Sequence, residues 1–516
     1  MPFRILVVLG GAIATAITGA AYPFVGLLAL EFLTFGRPQD DRPNVELLHI
    51  PLIIVISVAA GLLLRIVTYG PGLAAGLKRI WIMLALYCLL FASALENGWT
   101  FLSRNRLYDF GTIVFLCLVM FALLNSAKRL EYYMVVLLGC GAYVAERFIR
   151  NPGNIFEQIG HEHFERAAIA RGTGGFGNSN FLALLMVLSI LMALALLGFH
   201  HKWWQRIGLL TLISGCGYTF FRANSRGASV GLAVGLVCMW FMSKSKVWSS
   251  VMVLVLVIII VIAAPTAYWM RLGTILTYQE DASATKRLQL WDQAIALTHE
   301  NPLLGIGPDN FIYYATNSQH DAYLQVASEA GMPALMLYIA WLVSGLWSAL
   351  KARRLSSPHP GETRYLWAVS NGIFCCLVAI VIQGFTTGFA FREFVYGYVV
   401  FAFIAQRLAQ ELTSEPAISG WISEESIKDD IGRDVDGTTP FGEFGTYLQA
   451  EILTQHGLKA VFFVEAPVRA RSSKLWSQFS RTMALWPDCV PVPICADGSM
   501  KVPMRLHASR IELHPG

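Results

Sequence analysis

Charged side chains are scarce in this 516-residue sequence: 14% are Asp, Glu, Lys or Arg, against 55% hydrophobic. A soluble chain of this size needs more charge to cover its surface, so the composition and the positive mean hydropathy place the protein among polytopic membrane proteins. The formal charge of +5 is small and spread out. With no basic tract interleaved with aromatics, nucleic acid is excluded as an expected partner. Cysteine pairs are missing too. Cys88, Cys117, Cys140, Cys216, Cys238, Cys375 and Cys376 lie in apolar runs without C-x-x-C spacing and read as small core hydrophobes, while Cys489 and Cys495 fall in the tail. No His/Asp/Glu spacing resembles a metal site, and there is no internal repeat.

What the sequence does contain is a series of long apolar runs. They lie at residues 5–35, 47–67, 77–95, 107–124, 132–149, 176–199, 203–221, 223–242, 247–269, 322–350, 366–388 and 391–408. Counted as spans they predict an all-α integral membrane protein with about twelve transmembrane helices. The first run is too long for one simple span and is interrupted at Pro23. Small residues around Gly19 imitate a signal-peptidase site, but ahead of so many spans the first helix reads as uncleaved. After residue 410 the composition turns polar, acidic and rich in turn formers. Residues 411–436 read as a cytoplasmic linker, and 437–516 as a small, soluble-looking mixed α/β segment.

The spans have a consistent sidedness for lysine. With the N-terminus cytoplasmic, Lys78, Lys128, Lys202, Lys244, Lys246 and Lys351 fall on the cytoplasmic side, and only Lys286 falls outside. Arginine runs the other way: Arg104, Arg106, Arg166, Arg171, Arg222, Arg226, Arg271, Arg287 and Arg392 face the outer side. Guanidinium groups suit bidentate contact with phosphate better than lysine does, so an anionic ligand is expected on that face.

Three outer loops carry the candidate residues. In ARGTGGFGNSNF, glycines let backbone approach a ligand, Arg171 supplies charge, and Asn178 and Asn180 sit where a helix begins. In FRANSRGASVG, Arg222 and Arg226 are four residues apart and would repel each other on one helical face unless an anion lay between them. The largest loop, between spans 9 and 10, opens with an amphipathic helix over 285–300. Leu288, Trp291 and Ile295, with Leu297 or Thr298, are expected to share its buried face, and Arg287 stands at its start. NPLLGIGPDNF then makes a tight turn. His320 opens a second helix, which breaks at Gly331-Met332-Pro333. At a helix N-terminus among arginines an imidazolium is disfavoured, leaving a neutral imidazole able to take a proton.

Arg171 with GFGNSN, SRGA at 225–228, RLQLW at 287–291, NPLLGIGPDNF and HDAYL with EAG resemble, in that order, the signature regions of the O-antigen ligase and O-antigen polymerase superfamily. The resemblance covers roughly residues 1–410. It implies a metal-independent glycosyl-transfer enzyme without cofactor, in a bacterial inner membrane, with its site facing the periplasm. A glycan passes from a polyprenyl diphosphate donor to a hydroxyl acceptor on lipid, glycan or protein. Carried over, Arg226 and Arg287 hold the diphosphate, Arg171 assists, His320 activates the acceptor, and Arg222, Asn178 and Asn180 line the substrate site. Asp321 departs from the asparagine that many relatives have next to the histidine, and an acid there favours the imidazolium. Ligase, polymerase and protein O-oligosaccharyltransferase share these motifs. A polytopic transporter or flippase is the reading from another class, but charges collect at span ends and inverted repeats are missing. The tail from Asp434 and Asp436 to LKAVFFV resembles the opening of a polysaccharide deacetylase domain. His507 and His514 do not form the H-x-x-x-H pair that domain requires.

Overall fold

The structure is a computed structural model, and it describes residues 3–36, 50–64, 76–150, 179–199, 202–264, 266–273, 282–315, 317–356, 363–414, 448–453 and 459–464. The chain divides into two units, Met1–Glu415 and Pro416–Gly516. In the first, every regular element among the described residues is a helix. Five of its described helices are long and apolar enough to cross a membrane: Phe101–Leu123, Ala127–Arg150, Ser179–Leu197, Ala322–Leu355 and Thr363–Gly384. In the second unit, strands β1 (Leu448–Leu453) and β2 (Lys459–Val464) form an antiparallel pair with Leu448 opposite Val464. Asp434, Asp436, His507 and His514 lie outside the described residues.

Helix boundaries follow caps and prolines more closely than they follow hydropathy. The first apolar run is divided at Tyr22-Pro23 into α1 (Phe3–Ala21) and α2 (Pro23–Glu31), as the proline requires, with one π turn after it. Next come α3 (Ile50–Leu64), α4 (Trp81–Glu96) and α5 (Phe101–Leu123). α5 starts six residues before the apolar run at Leu107, because the Thr100 hydroxyl accepts the Ser103 N–H as an N-cap. After α6 (Ala127–Arg150) and α7 (Ser179–Leu197), α8 (Trp203–Ala223) ends at Asn224 in the left-handed region, and the Ser225 side chain caps α9 (Arg226–Met242). Residue 265, a proline, separates α10 (Lys246–Ala263) from α11 (Thr266–Gly273), so the expected span at 247–269 is two helices.

The remaining helices are α12 (Ala282–Glu300), α13 (Ala322–Leu355), α14 (Thr363–Gly384) and α15 (Glu393–Ser414). α13 packs against α4, α12, α14 and α15, and α14 also packs against α7 and α9. A chain of rings joins α5, α13 and α15: Phe110 to Tyr396 at 4.9 Å, Tyr396 to Trp341 at 6.0 Å, and Trp341 to Phe403 at 5.4 Å. Across the bundle, Gly227, Gly231 and Gly235 form one stripe of α9. A Cβ there would meet Thr386, the Ala379 carbonyl and Leu191 in turn, which is the close approach that small residues permit between membrane helices.

α13 has 34 residues, about 50 Å of helix at 1.5 Å per residue, whereas a bilayer core is roughly 30 Å thick. The excess is its first part. Gly331 breaks the helix at φ 85°, ψ 172°, just ahead of Pro333, and separates an outer segment, residues 322–330, from the span. The segment after α12 interlocks with this break. Met332 N–H donates to the Pro302 carbonyl (2.8 Å), Ile306 N–H to Ser328 (2.9 Å) and Gly307 N–H to Glu329 (3.0 Å). A Cβ on Gly331 would collide with the Leu303 carbonyl. Gly331→Ala therefore combines left-handed strain with a backbone clash and is expected to destabilise the outer loop by about 1–3 kcal/mol. Thermal unfolding of the detergent-purified protein checks this, with Gly139→Ala, which has open space around its Cβ, as a control that keeps the parent midpoint.

Candidate functional site

The outer loop is tied down from below before any reactive group is placed. The end of α4, the turn after it and the start of α5 supply the ties. Ser93 Oγ donates to the Glu329 carbonyl (2.8 Å), Asn97 Nδ2 to Gly305 (3.1 Å), and Ser103 Oγ to Pro308 (2.8 Å). Arg106 closes the set with a bidentate pair to Asp309, Nε to Oδ2 and Nη2 to Oδ1, both 2.9 Å. The buried Glu329 carboxyl accepts the Asp309 N–H (2.9 Å) and the Gln319 side-chain amide (3.1 Å). Two of the arginines that pointed to an anionic ligand thus engage the protein itself. Arg106 serves the fold, and Arg104 stacks on Phe101 at 5.5 Å.

That network ends one residue before His320. Gln319 is held by its side chain at Ser328 and Glu329, and its carbonyl accepts the Trp291 indole N–H at 3.0 Å. Trp291 of RLQLW thereby fixes where His320 leaves the backbone. His320 does not open the helix, as the sequence pattern suggested. It stands ahead of it in the left-handed region, at φ 54°, a conformation histidine tolerates better than bulkier residues do. The cap is Asp321, whose Oδ1 accepts the Leu324 N–H at 2.7 Å. Burial pushes the Asp321 carboxyl above the ordinary carboxylate range, with the N–H groups of Leu324 and Tyr323 pulling it back down. The Asp321 side chain is thus turned toward the start of its own helix.

α12 presents a different face from the one expected. Leu290 and Ala294 are buried, with Arg287, Trp291 and Leu297 beside them, whereas Leu288 (43%) and Ile295 (44%) are exposed. The inward stripe is set by what the loop 301–315 offers: Leu290 and Ala294 pack with Ile306 and Phe311. Arg287 lies on this stripe and donates through Nη1 to the Thr386 carbonyl at 3.3 Å.

Thr386 belongs to the loop 385–392 between α14 and α15. Hydropathy had divided it between two spans, because α14 was expected to run to 388; it stops at Gly384, and the loop that follows gathers the site. Gly227, next to Arg226, has no side chain, and a Cβ there would occupy the place of the Thr386 hydroxyl. Gly388 lies against the His320 and Asp321 backbone, its Cβ position 3.7 and 3.8 Å from the two nitrogens. Ala390 N–H donates to Gln325 Oε1 at 3.3 Å, and the Arg392 guanidinium stacks over Phe181 at 5.0 Å. One short loop therefore touches the start of α9, the inward face of α12 and the entry to α13.

Among the predicted residues, Arg226, Arg287 and His320 are each half-buried and each adjoin this loop. Asn180 is tied to the same region: its Oδ1 accepts the Ser225 hydroxyl at 2.7 Å and its carbonyl accepts Gln383 Nε2 at 2.8 Å. Arg222 is not on one helical face with Arg226. Arg222 ends α8 and Arg226 begins α9, with the left-handed Asn224 between them, so the repulsion argued from i,i+4 spacing does not arise. Arg222 stacks on Tyr218 at 5.7 Å. Arg171 and Asn178 lie outside the described residues. Hydropathy hid Thr386 and Gly388; the signal available was the run T-T-G between two aromatic-rich segments, small polar residues where a span would keep bulk.

A comparison with curated proteins gave no match. Residues 209–339 match the family model described as O-antigen ligase, a stretch from within α8 into α13 that contains Arg222, Arg226, Arg287 and His320. This stretch is thus similar to the O-antigen ligase family, and it lies in a chain with five described helices long and apolar enough to cross a membrane.

Proposed function

We propose that the protein transfers a glycan from a polyprenyl diphosphate carrier to an acceptor hydroxyl at the periplasmic face of a bacterial inner membrane, using neither metal nor cofactor. In this reading residues 1–410 form a membrane domain of about twelve spans, 411–436 a cytoplasmic linker, and 437–516 a truncated deacetylase-like segment. The observation that carries it is the convergence at loop 385–392, where the Arg226-Gly227 corner, Arg287 and the His320 backbone meet.

The chemistry asks for two things. When the acceptor oxygen bonds to the anomeric carbon, the carbon–oxygen bond to the diphosphate breaks and negative charge grows on the leaving group. Arg226 at the first turn of α9 and Arg287 on α12 supply fixed cations there, and α9 adds the positive end of its dipole. The acceptor hydroxyl must lose its proton, and His320 receives it. Arg171 assists with the diphosphate, while Asn178, Asn180 and Arg222 shape the substrate site.

The test is incubation of the purified protein in lipid nanodiscs with a polyprenyl-diphosphate glycan and an acceptor, followed by mass analysis of the products. His320→Ala is expected to lower transfer by roughly 10²- to 10⁴-fold while the protein stays folded. Arg226→Lys is expected to lose roughly ten- to a hundred-fold, because an ammonium does not reproduce a guanidinium fork. Parent-level rates in both variants would reject the assignment. Truncation after Leu412 is expected to leave the transfer rate unchanged in the same assay, and its abolition would show that the tail takes part.

A further inference from the structure

Beside the convergence at loop 385–392, the outer loop holds a cleft of about 360 Å³, lined by Lys286, Gln289, Gln293, Tyr313 and Tyr314 with Leu290 among the lining residues. Its volume lies at the lower end of the ~300–1,000 Å³ usual for small-ligand sites. One helix serves both places. Arg287 reaches Thr386, and its neighbour Lys286, about 100° further round α12, lines the cleft.

The lining has a definite chemistry. Gln289 and Gln293 are one helical turn apart, and each carries an amide with two donors and one acceptor oxygen. Tyr313 and Tyr314, at the end of the 3-10 turn Asn310–Tyr313, are 63% and 56% exposed, so two phenol rings stand uncovered beside these amides. No carboxylate is among the lining residues. A phosphate would call for more than one cation, and an aliphatic chain would leave the amides unpaired. A pyranose satisfies the set: its C–H face lies on an aromatic ring and its rim of hydroxyls exchanges hydrogen bonds with amide and phenol groups.

We propose that this cleft is a glycan subsite, holding a pyranose residue of a sugar chain next to the reacting bond. The proposal rests on the glycosyl-transfer reading for which sugar reaches the cleft, but not for the binding itself. The full chain in nanodiscs is titrated with the oligosaccharide released by mild acid from the producing cell's lipid-linked glycan, followed by saturation-transfer NMR. Binding is expected, weakened roughly ten-fold in the Tyr313→Ala/Tyr314→Ala double variant, kept in Tyr313→Phe, and unaltered in Arg226→Ala, since the released sugar carries no diphosphate. Equal binding by parent and double variant, or none by the parent, overturns the proposal. So does a double variant that loses only its retention in the membrane, the result expected of tyrosines seated at the lipid interface. In turnover assays a raised KM for the lipid-linked donor, with kcat kept, identifies a donor sugar; a raised KM for a glycan acceptor identifies an acceptor sugar. Neither change overturns the subsite. Tyrosine-dependent binding without any transfer would sink the reaction and leave the subsite standing.

Discussion

The left-handed break at Gly331 is the constraint on which the outer part of this molecule depends. A helix that continued straight from Ala322 to Leu355 would present its N–H and C=O groups only to itself. Breaking it at Gly331 frees Met332 N–H and the carbonyls of Ser328 and Glu329, and the segment 302–307 pairs with all three. An irregular stretch of chain thereby gains a backbone framework. From that framework come the Asp309–Arg106 pair, the Glu329–Gln319 contact and, one residue further on, His320.

The loop arginines divide into two kinds once their neighbours are known. Arg106 neutralises Asp309, and Arg104 and Arg392 lie over aromatic rings. Arg226 and Arg287 adjoin loop 385–392, where fixed positive charge stabilises a departing diphosphate in the proposed reaction. A surplus of arginine on one face of a membrane protein is therefore partly a cost of building polar loops there. Only position separates the arginines at this loop from those elsewhere.

Glycine works at two scales. Along α9, Gly227, Gly231 and Gly235 bring that helix against α14 and α7, and the nearest of them to the site lets Thr386 sit beside Arg226. In the outer loop, Gly305 and Gly307 take positive φ where the chain crosses Glu329 and Asn310. The glycine-rich segment expected to serve ligand approach, residues 172–177, lies outside the described residues. The glycines of α9 and of the loop 305–307 allow protein to approach protein.

The sequence by itself determined the membrane class, the order of the apolar helices and the break at Gly331. Each of these depends on composition, on period or on a local conformational preference, and none needs a distant partner. Tertiary structure alone decided which face of α12 turns inward, because Leu290 and Ala294 are selected by Ile306 and Phe311, not by hydropathy. It likewise decided that Arg106 pairs with Asp309, and that Thr386 and Gly388 join three separate elements. Those contacts link residues from about twenty to more than two hundred positions apart, and sequence spacing carries no information about a meeting that only the packed bundle creates.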